Sequence, residues 1–276
     1  MALSYPNIDP VALDLGPLQI HWYGLMYLFG FLAAYLLGQK RSERSGSPIN
    51  KEQVGDMIYF CAIGVIVGGR LGYVFFYNFD KFLADPIWLF KVWEGGMAFH
   101  GGLMGVMAAI VIYARKLGCT FFQLLDFLAP MVPIGLGLGR IGNFIGAELW
   151  GRETTVSWGM VFPTDPDQLV RHPSQLYQFA LEGVLFFLIL WFYSHKPRPA
   201  AAVSGMFMIF YGLFRFLVEF VRQPDAHIGF IAWGWLTKGQ LLSFPMVLIG
   251  VAFIVYAYKF NKSPYFEKAP EKVSSK

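Results

Sequence analysis

Long apolar stretches alternate with short polar connections along almost the whole chain. A helix needs about 20 consecutive, mostly apolar residues to cross a bilayer, and seven stretches come within a few residues of that length. The pattern predicts an all-α integral membrane protein with seven transmembrane helices. They lie at roughly residues 19–38, 54–77, 97–114, 121–145, 174–194, 203–221 and 239–258.

The stretches differ in regularity, and the polar segments differ in length. The fourth contains Pro130, Pro133 and many glycines, so it is expected to be kinked or broken where protein or a cavity covers the freed backbone groups. The longest connection, residues 146–173, is expected to form a small head over the membrane. Residues 1–260 are expected to form a single transmembrane domain, and the Lys-rich tail, 261–276, a disordered cytoplasmic segment.

Composition narrows the class of protein. The chain is 56% hydrophobic and only 14% charged, whereas ordinary soluble domains carry about 25% charged residues. Lipid is therefore the expected surrounding of this chain. The net charge of +4 is spread along the sequence without a basic block, which argues against nucleic acid as a partner. Cys61 and Cys119 belong to no metal-binding spacing, so no thiol or metal chemistry is expected of them.

The distribution of Lys and Arg predicts the orientation, because cytoplasmic loops carry an excess of both. With the N-terminus outside and the C-terminus inside, thirteen basic residues lie in inside segments and six in outside segments. Five of the thirteen lie at positions 259–276, in the tail or just before it. The remaining three of the 22 basic residues lie within apolar stretches: Arg70, Arg140 and Arg215.

These three arginines are the first candidates for chemistry. An arginine at the centre of a span costs at least about 2.5–3.5 kcal/mol, so it usually faces a cavity or a partner. In the predicted orientation each arginine lies in the outer half of its helix. A guanidinium is a planar fork that matches phosphate, which predicts a site for an anionic phospholipid headgroup. Snorkelling or structural pairing with Glu is the alternative for each, and the role of Arg70 stays open.

Helical spacing adds neighbours to two of the arginines. Tyr211, Arg215, Glu219 and Arg222 follow one another at intervals of four, four and three, so they share one helical face. Glu219 is expected to pair with either arginine. In the fourth stretch Arg140 and Asn143 face the same way, and Glu148 follows just past that end.

His100 lies between glycines at the expected outer start of the third helix. Its ordinary pKa near 6.5 suits proton transfer at neutral pH, although a lone His is often only a satisfied polar residue. The other four histidines are weaker candidates for a base: His21, His172, His195 and His227.

Several sequence blocks carry a resemblance to a known family. Residues 139–151 read Gly-Arg-Ile-Gly-Asn-Phe-Ile-Gly-Ala-Glu-Leu-Trp-Gly. This run resembles the signature of prolipoprotein diacylglyceryl transferases, Gly-Arg-x-Gly-Asn-Phe-x-Asn-x-Glu-x-x-Gly. Further blocks match in the family's order, and together they cover nearly the whole chain: residues 21–27, 99–102, 171–177 and 211–215.

The resemblance implies a bacterial inner-membrane enzyme with seven spans, an outside N-terminus and an active site toward the periplasm. It implies transfer of diacylglyceryl from phosphatidylglycerol to the lipobox cysteine of a preprolipoprotein signal peptide, with release of glycerol phosphate and without a cofactor. The family's important residues fall on Tyr23, His100, Arg140, Asn143, Glu148, Gly151, Arg215, Glu219 and Arg222. Gly146 departs from the signature, which has Asn there, and activity is expected to survive this difference.

A mechanism follows from these residues. The acceptor thiol must become a thiolate, for which His100 is the candidate base, helped by Tyr23. Arg140 and Arg215 would neutralise the charge that collects on the departing phosphate, and Tyr211 completes the expected lipid-binding set. Three alternatives stay open: a transporter or flippase of anionic lipids, a non-enzymatic lipid-binding scaffold, and an enzyme using another lipid donor.

Overall fold

The computed structural model describes residues 3–16, 19–44, 46–224 and 229–261. Most of these residues are helical, as expected for apolar segments that satisfy their backbone groups internally. The α-helices are α1 (Trp22–Ser42), α2 (Lys51–Tyr77), α3 (Phe79–Ala84), α4 (Phe99–Leu117), α5 (Phe121–Leu128), α6 (Val132–Ile145), α7 (Ser174–Gln178), α8 (Phe186–Tyr193), α9 (Ala202–Val218) and α10 (Lys238–Lys259).

Each of the seven stretches predicted to span the membrane is helical. Within the described ranges, four helical stretches are long and apolar enough to cross a bilayer: Lys51–Tyr77, Phe121–Ile145, Ser174–Tyr193 and Lys238–Lys259. A fifth apolar helix, Ala202–Val218, is shorter. The chain is therefore a mostly helical protein with several candidate membrane spans, and the full count of seven stays a prediction.

Two of the spans are irregular. In the fourth stretch a 3₁₀ turn at Ala129–Met131 joins α5 to α6 within one continuous helical stretch, Phe121–Ile145. The predicted irregularity therefore lies at the two prolines, but the helix is not broken there. In the fifth stretch a π-helical segment, Phe179–Leu185, lies between α7 and α8. The sequence pattern did not predict this second irregularity, and π-helical turns occur frequently at functional sites.

The chain divides into two compact units, which are described separately. The first comprises residues 1–37 and 128–264, and the second comprises residues 38–127 and 265–276. The prediction of one transmembrane domain over residues 1–260 stays a prediction. The predicted disordered tail lies outside the described residues, except for Asn261.

Glycines bring two helices of the second unit into backbone contact. A Cβ added at Gly105 of α4 would lie 2.0 Å from the carbonyl oxygen of Gly64 in α2, and one at Gly101 would lie 2.3 Å from that of Gly68. Such approaches are possible only without side chains, as is common in membrane helix pairs. This contact fixes the start of α4, where His100 lies.

Among its described residues, the first unit also contains five short strands, which corrects the all-α prediction. β1 (Leu3–Ser4), β4 (Met160–Val161) and β5 (Val170–Arg171) form one sheet, and β2 (Val11–Asp14) pairs with β3 (Gln19–His21). Strand β1 is parallel to β4, and β4 is antiparallel to β5. The strands are too short for periodicity to reveal them. The first sheet contains two strands from the predicted head, residues 146–173, and the location of this head over the membrane stays a prediction.

An ion pair organises this head. The buried Arg171 guanidinium donates to both carboxylate oxygens of Asp165, at 2.8 and 3.0 Å. Hydrogen bonding from Arg171 holds the pKa of Asp165 below its usual range. Because this folded-state pKa is depressed, the pair contributes stability to the head above the unfolded pKa of about 4, and loses it on further acidification.

Candidate functional site

Glu219 is the centre of a polar cluster at the end of α9. Its carboxylate lies 2.5 Å from Arg215 Nη2 and 3.4 Å from Arg222 Nη1, and it accepts a hydrogen bond of 2.6 Å from Thr237 Oγ1. Thr237 is the N-cap of α10, whose positive helix end also favours a carboxylate. The predicted pairing of Glu219 is confirmed with both arginines, and it holds the two guanidiniums in place.

The residues predicted from the signature form a second polar line in the same unit. Arg140 Nη1 lies 3.5 Å from Asn143 Oδ1, and Asn143 Nδ2 donates to Glu148 Oε1 at 2.8 Å. Asn143 is buried, whereas Glu148 is exposed and the Arg140 side chain is 21% exposed. The arrangement presents one cation and one carboxylate, bridged by an amide, at the end of α6.

The backbone around Glu148 is strained and firmly held. Ala147 and Leu149 have φ angles of 52° and 58°, which non-glycine residues rarely adopt. Each carbonyl of the turn accepts a side-chain hydrogen bond, and the three bonds run from Thr164 to Ala147, from Gln175 to Glu148 and from Ser174 to Leu149. Strained turns persist where the surroundings over-determine them, often at functional sites. The block at residues 171–177 thus positions Glu148.

A buried acid that sequence analysis missed lies opposite Arg140. Glu182 belongs to the π-helical segment, its side chain is completely buried, and its Oε2 lies 3.7 Å from Arg140 Nε. Gly137 and Gly183 permit this approach, since a Cβ added at Gly137 would lie 2.9 Å from the Gly183 Cα. The sequence contains one feature that could have identified Glu182. It is a glutamate within an apolar stretch, and a charged residue within a span usually marks a functional site.

The same helical stretch also meets the second arginine. Arg215 Nη1 lies 3.4 Å from Gln178 Oε1, one turn before Glu182. Glu182 interacts electrostatically with Arg140, Arg215 and Arg222. Arg140 from α6 and Arg215 from α9 therefore face a common buried polar stretch, as a two-pronged anion site requires.

Tyr23 lies beside the signature helix. Its hydroxyl is 3.1 Å from that of Tyr27, and its ring packs so closely on α6 that a Cβ at Gly142 would lie 2.9 Å from the ring. Next to it is a cavity of about 350 Å³, lined by Pro10, His21, Tyr23, Gly142, Gly146 and Glu148 among others. The cavity adjoins the polar line, so an elongated ligand could contact both.

Replacing Gly146 by Asn, the residue of the family signature, is expected to leave the protein folded and active. Gly146 has φ −73°, and a Cβ there would lie 3.5 Å from the nearest atom, which is ordinary contact. The rate of product formation should stay within about threefold, as for a change of roughly 0.5 kcal/mol. A folded Gly146→Asn protein that is inactive in a purified-enzyme assay would mean that the reaction needs the space that Gly146 leaves in the cavity wall.

Arg70 does not offer its guanidinium to a lipid. It is buried in the second unit and donates to the backbone carbonyls of Trp88, Leu89 and Gly95, with its guanidinium over the Trp88 ring. These partners are backbone carbonyls, so the contacts correspond neither to snorkelling nor to the pairing with Glu that the sequence analysis considered. Arg70 holds the segment that precedes α4.

The described histidines lie in different surroundings, and His21 lines the cavity beside Tyr23. His100 is exposed at the start of α4, where it packs edge-on against Phe99. It belongs to the second unit, whereas Arg140, Arg215 and Arg222 belong to the first. His172 Nδ1 lies 3.1 Å from the Tyr177 hydroxyl, and burial lowers the pKa of His172. His227 lies outside the described residues.

Gly151 and Tyr211 lie at structural junctions of the first unit. Gly151 pairs with the backbone of Arg222, and a Cβ there would lie 2.5 Å from the Val221 carbonyl oxygen. Tyr211 packs against Phe186 and Phe207 one turn before Arg215. Gly151 therefore joins the head to the end of α9, and a direct lipid contact of either residue stays a prediction.

Comparison with known proteins places this architecture in a family. The family model described as "Prolipoprotein diacylglyceryl transferase" matches residues 10–256. The chain belongs to the prolipoprotein diacylglyceryl transferase family. Proteins named phosphatidylglycerol–prolipoprotein diacylglyceryl transferase are similar over nearly their full length. The chain is 63% identical to that of Ectopseudomonas mendocina, covering 93% of this chain and 97% of the relative. The relative from Teredinibacter turnerae is 58% identical, covering 98% and 96%.

Family membership confirms the resemblance that the sequence blocks carried. The matched region includes α6 and its signature as well as the residues that hold the Glu148 turn. The roles of individual side chains in a prolipoprotein diacylglyceryl transferase reaction rest on the geometry described above.

Proposed function

We propose that this chain transfers the diacylglyceryl group of phosphatidylglycerol to the lipobox cysteine of a preprolipoprotein, forming a thioether and releasing glycerol phosphate. Membership of the prolipoprotein diacylglyceryl transferase family supports the reaction class. The geometric observation that carries the proposal is the convergence of Arg140 and Arg215 on one polar helix stretch, in a protein with apolar, membrane-length helices.

Both guanidiniums would act on the phosphate. A phosphodiester carries one negative charge, and its displacement as a monoester places further charge on the leaving oxygens. Fixed cations in a site of restricted solvent access stabilise such charge without reorganisation during the reaction. The Arg140 and Arg215 side chains are only 21% and 18% exposed, so water screens them weakly. The ion pair with Glu219 fixes the position of the Arg215 guanidinium.

The remaining residues would position the lipid headgroup and handle the proton. In the step, the cysteine sulfur forms a bond to the terminal glycerol carbon while the carbon–oxygen bond to phosphate breaks. The thiol proton passes to a base, for which His100 is our candidate, with Tyr23 assisting. Asn143 and Glu148 provide an amide and a carboxylate that can hydrogen-bond the hydroxyls of the headgroup glycerol.

We infer that the enzyme has seven spans, lies in the bacterial inner membrane and works on its periplasmic face. The excess of basic residues in alternate loops supports this orientation. Tags at Ser47 and at the C-terminus are expected to report the cytoplasm. A tag in the head near Asp165, placed after the exposed Asp167, is expected to report the outside. A periplasmic reading at Ser47 would contradict the orientation and move the site to the inner leaflet.

The direct test uses purified protein, phosphatidylglycerol and a lipobox peptide, with the product identified by mass spectrometry. The peptide is expected to gain one diacylglyceryl group on cysteine, and glycerol phosphate should appear in equal amount. A matched peptide with Ser in place of the lipobox Cys should remain unmodified. A flippase or a lipid-binding scaffold would leave the lipid chemically intact. Activity with another phospholipid alone would replace the proposed donor.

A further inference from the structure

Arg152 lies where the head meets the end of α9, and the reaction as proposed does not use it. Its own N–H donates to the Val221 carbonyl at 2.8 Å. Its Nη2 donates to the Glu219 carbonyl at 2.9 Å, and its Nε donates to the Arg222 carbonyl at 3.0 Å. One residue therefore supplies donors to three of the four carbonyls of residues 219–222, a segment that we call the α9 end.

The side chain of Arg152 suits this position. Carbonyls at the end of a helix find no donor within the helix, and a cation is favourable at the negative end of the helix dipole. The α9 end follows directly on Val218, the last residue of α9. The half-buried guanidinium also lies over the Phe230 ring, 4.9 Å from its centroid, which restricts it further.

The head holds the backbone of Arg152 on its other side. The His172 N–H donates to the Arg152 carbonyl at 3.0 Å, and the Thr154 N–H donates to the Val170 carbonyl at 2.8 Å. Residues 151–154 thus run beside the chain around β5. Arg152 is therefore bonded to the head through its carbonyl and to the α9 end through its N–H and its guanidinium.

The α9 end carries the carboxylate that orients the proposed phosphate site. Glu219 lies 2.5 Å from Arg215 Nη2 and 3.4 Å from Arg222 Nη1. A shift of the Glu219 backbone would move this carboxylate, and the Arg215 guanidinium with it. Displacements of about 1 Å at a reacting centre are enough to lower a rate by up to about 10²-fold. The position of the α9 end therefore bears on the reaction.

We propose that Arg152 is a positioning residue for the phosphate site. Its hydrogen bonds fix the α9 end against the head, and Glu219 on that segment then fixes Arg215. This inference rests on the proposed function, in which Arg215 neutralises the departing phosphate. Arg152 itself does not contact the lipid. The competing explanation is that Arg152 only stabilises the junction between the head and α9.

The test is a double-mutant cycle between R152M and R215A, in which kcat of thioether formation is measured for each folded variant. Methionine keeps an unbranched stem and removes both side-chain donors. R152M is expected to lower kcat about tenfold, as for the loss of charged hydrogen bonds, and to change the KM for phosphatidylglycerol less. Adding R152M to R215A should lower kcat no further, because both changes then remove one shared interaction.

A conservative variant and a matched control complete the cycle. R152K should recover only part of kcat, because an ammonium lacks the fork that reaches two carbonyls. Arg198 donates through Nε to the Tyr193 carbonyl at the end of α8, at 3.0 Å, and lies 4.3 Å over the Tyr193 ring. R198M therefore removes the same kinds of contact at another helix end, and kcat should stay within about twofold.

Two outcomes would overturn the proposal. Wild-type kcat in folded R152M would mean that the side-chain bonds of Arg152 do not position the site. Effects of R152M and R215A that multiply in the double variant would make Arg152 a structural residue that acts independently of Arg215. If R152M is not recovered folded, R152Q is the second variant, and the same cycle with R215A applies.

A binding measurement separates this proposal from the proposed function. Thermal unfolding follows the stabilisation of wild type, R152M, R215A and the double variant by glycerol 1-phosphate. Weaker stabilisation of R152M than of wild type, with equal stabilisation of R215A and the double variant, would support positioning even in a protein that forms no thioether, and the proposed reaction would then be refuted. Thioether formation with wild-type kcat in R152M would support the reaction and refute the positioning role.

Discussion

Replacing Arg140 or Arg215 by alanine is expected to lower the rate of thioether formation by about 10²–10³-fold. The contacts of these guanidiniums with phosphate strengthen as charge builds on the leaving oxygens. Their loss should therefore reduce kcat more than it weakens phosphatidylglycerol binding. Arg→Lys should restore only part of the rate, since an ammonium lacks the two-pronged geometry of guanidinium.

The measurement compares the thioether rate and lipid binding separately in each folded variant. Arg115→Ala is a matched control, because Arg115 is an exposed arginine in the last turn of α4. Arg222→Ala is expected to have a smaller effect than Arg215→Ala, because Arg215 reaches Gln178 on the helical stretch that also meets Arg140. Near-normal turnover in folded Arg140→Ala or Arg215→Ala would eliminate phosphate neutralisation by these residues, and would direct attention to His100 and to backbone N–H groups.

Replacing Gly105 by alanine is expected to destabilise the protein by roughly 3 kcal/mol or more, above the ordinary cost of overpacking. The added Cβ would lie 2.0 Å from the Gly64 carbonyl oxygen and 3.0 Å from the Gly68 Cα. Both obstacles belong to the backbone of α2, so no side chain can rotate away, and the two helices must separate along their contact. The effect should appear as a lower unfolding temperature and a lower yield of folded protein.

Gly135→Ala provides the control for this prediction. Gly135 also lies within a helix, α6, but a Cβ there would have no heavy atom within 4 Å. Its replacement should leave the unfolding temperature unchanged or slightly raised, because alanine is the better helix former. Equal unfolding temperatures for Gly105→Ala and wild type would show that α2 and α4 do not make this close contact in the folded protein.

Much of the helical framework could be predicted from the sequence, because membrane-length helices depend on local composition. Apolar stretches of sufficient length predicted the helical segments, and Pro130 and Pro133 predicted an irregularity where the 3₁₀ turn Ala129–Met131 lies. The short strands of the head could not be predicted in this way. The two-residue strand β1 depends on pairing with a distant segment, β4, which no local pattern can reveal.

Contacts between site residues that lie on the same helix were also predictable. Arg215, Glu219 and Arg222 share one face through helical spacing, and the structure confirms both ion pairs. Spacing likewise placed Asn143 beside Arg140. These contacts are determined by the geometry of the α-helix, in which residues three and four positions apart are neighbours.

The tertiary structure alone decided which charges meet across different helices. Arg140 and Glu182 are 42 positions apart, and they approach because Gly137 and Gly183 allow their backbones to touch. Arg70, which looked equivalent to Arg140 in sequence, instead donates to the carbonyls of Trp88, Leu89 and Gly95. The sequence by itself determined the position of each charged residue along its helix, because that position depends only on the order of residues in the chain. The partner of each charged residue depends on helix packing, which brings together groups that no local sequence pattern relates.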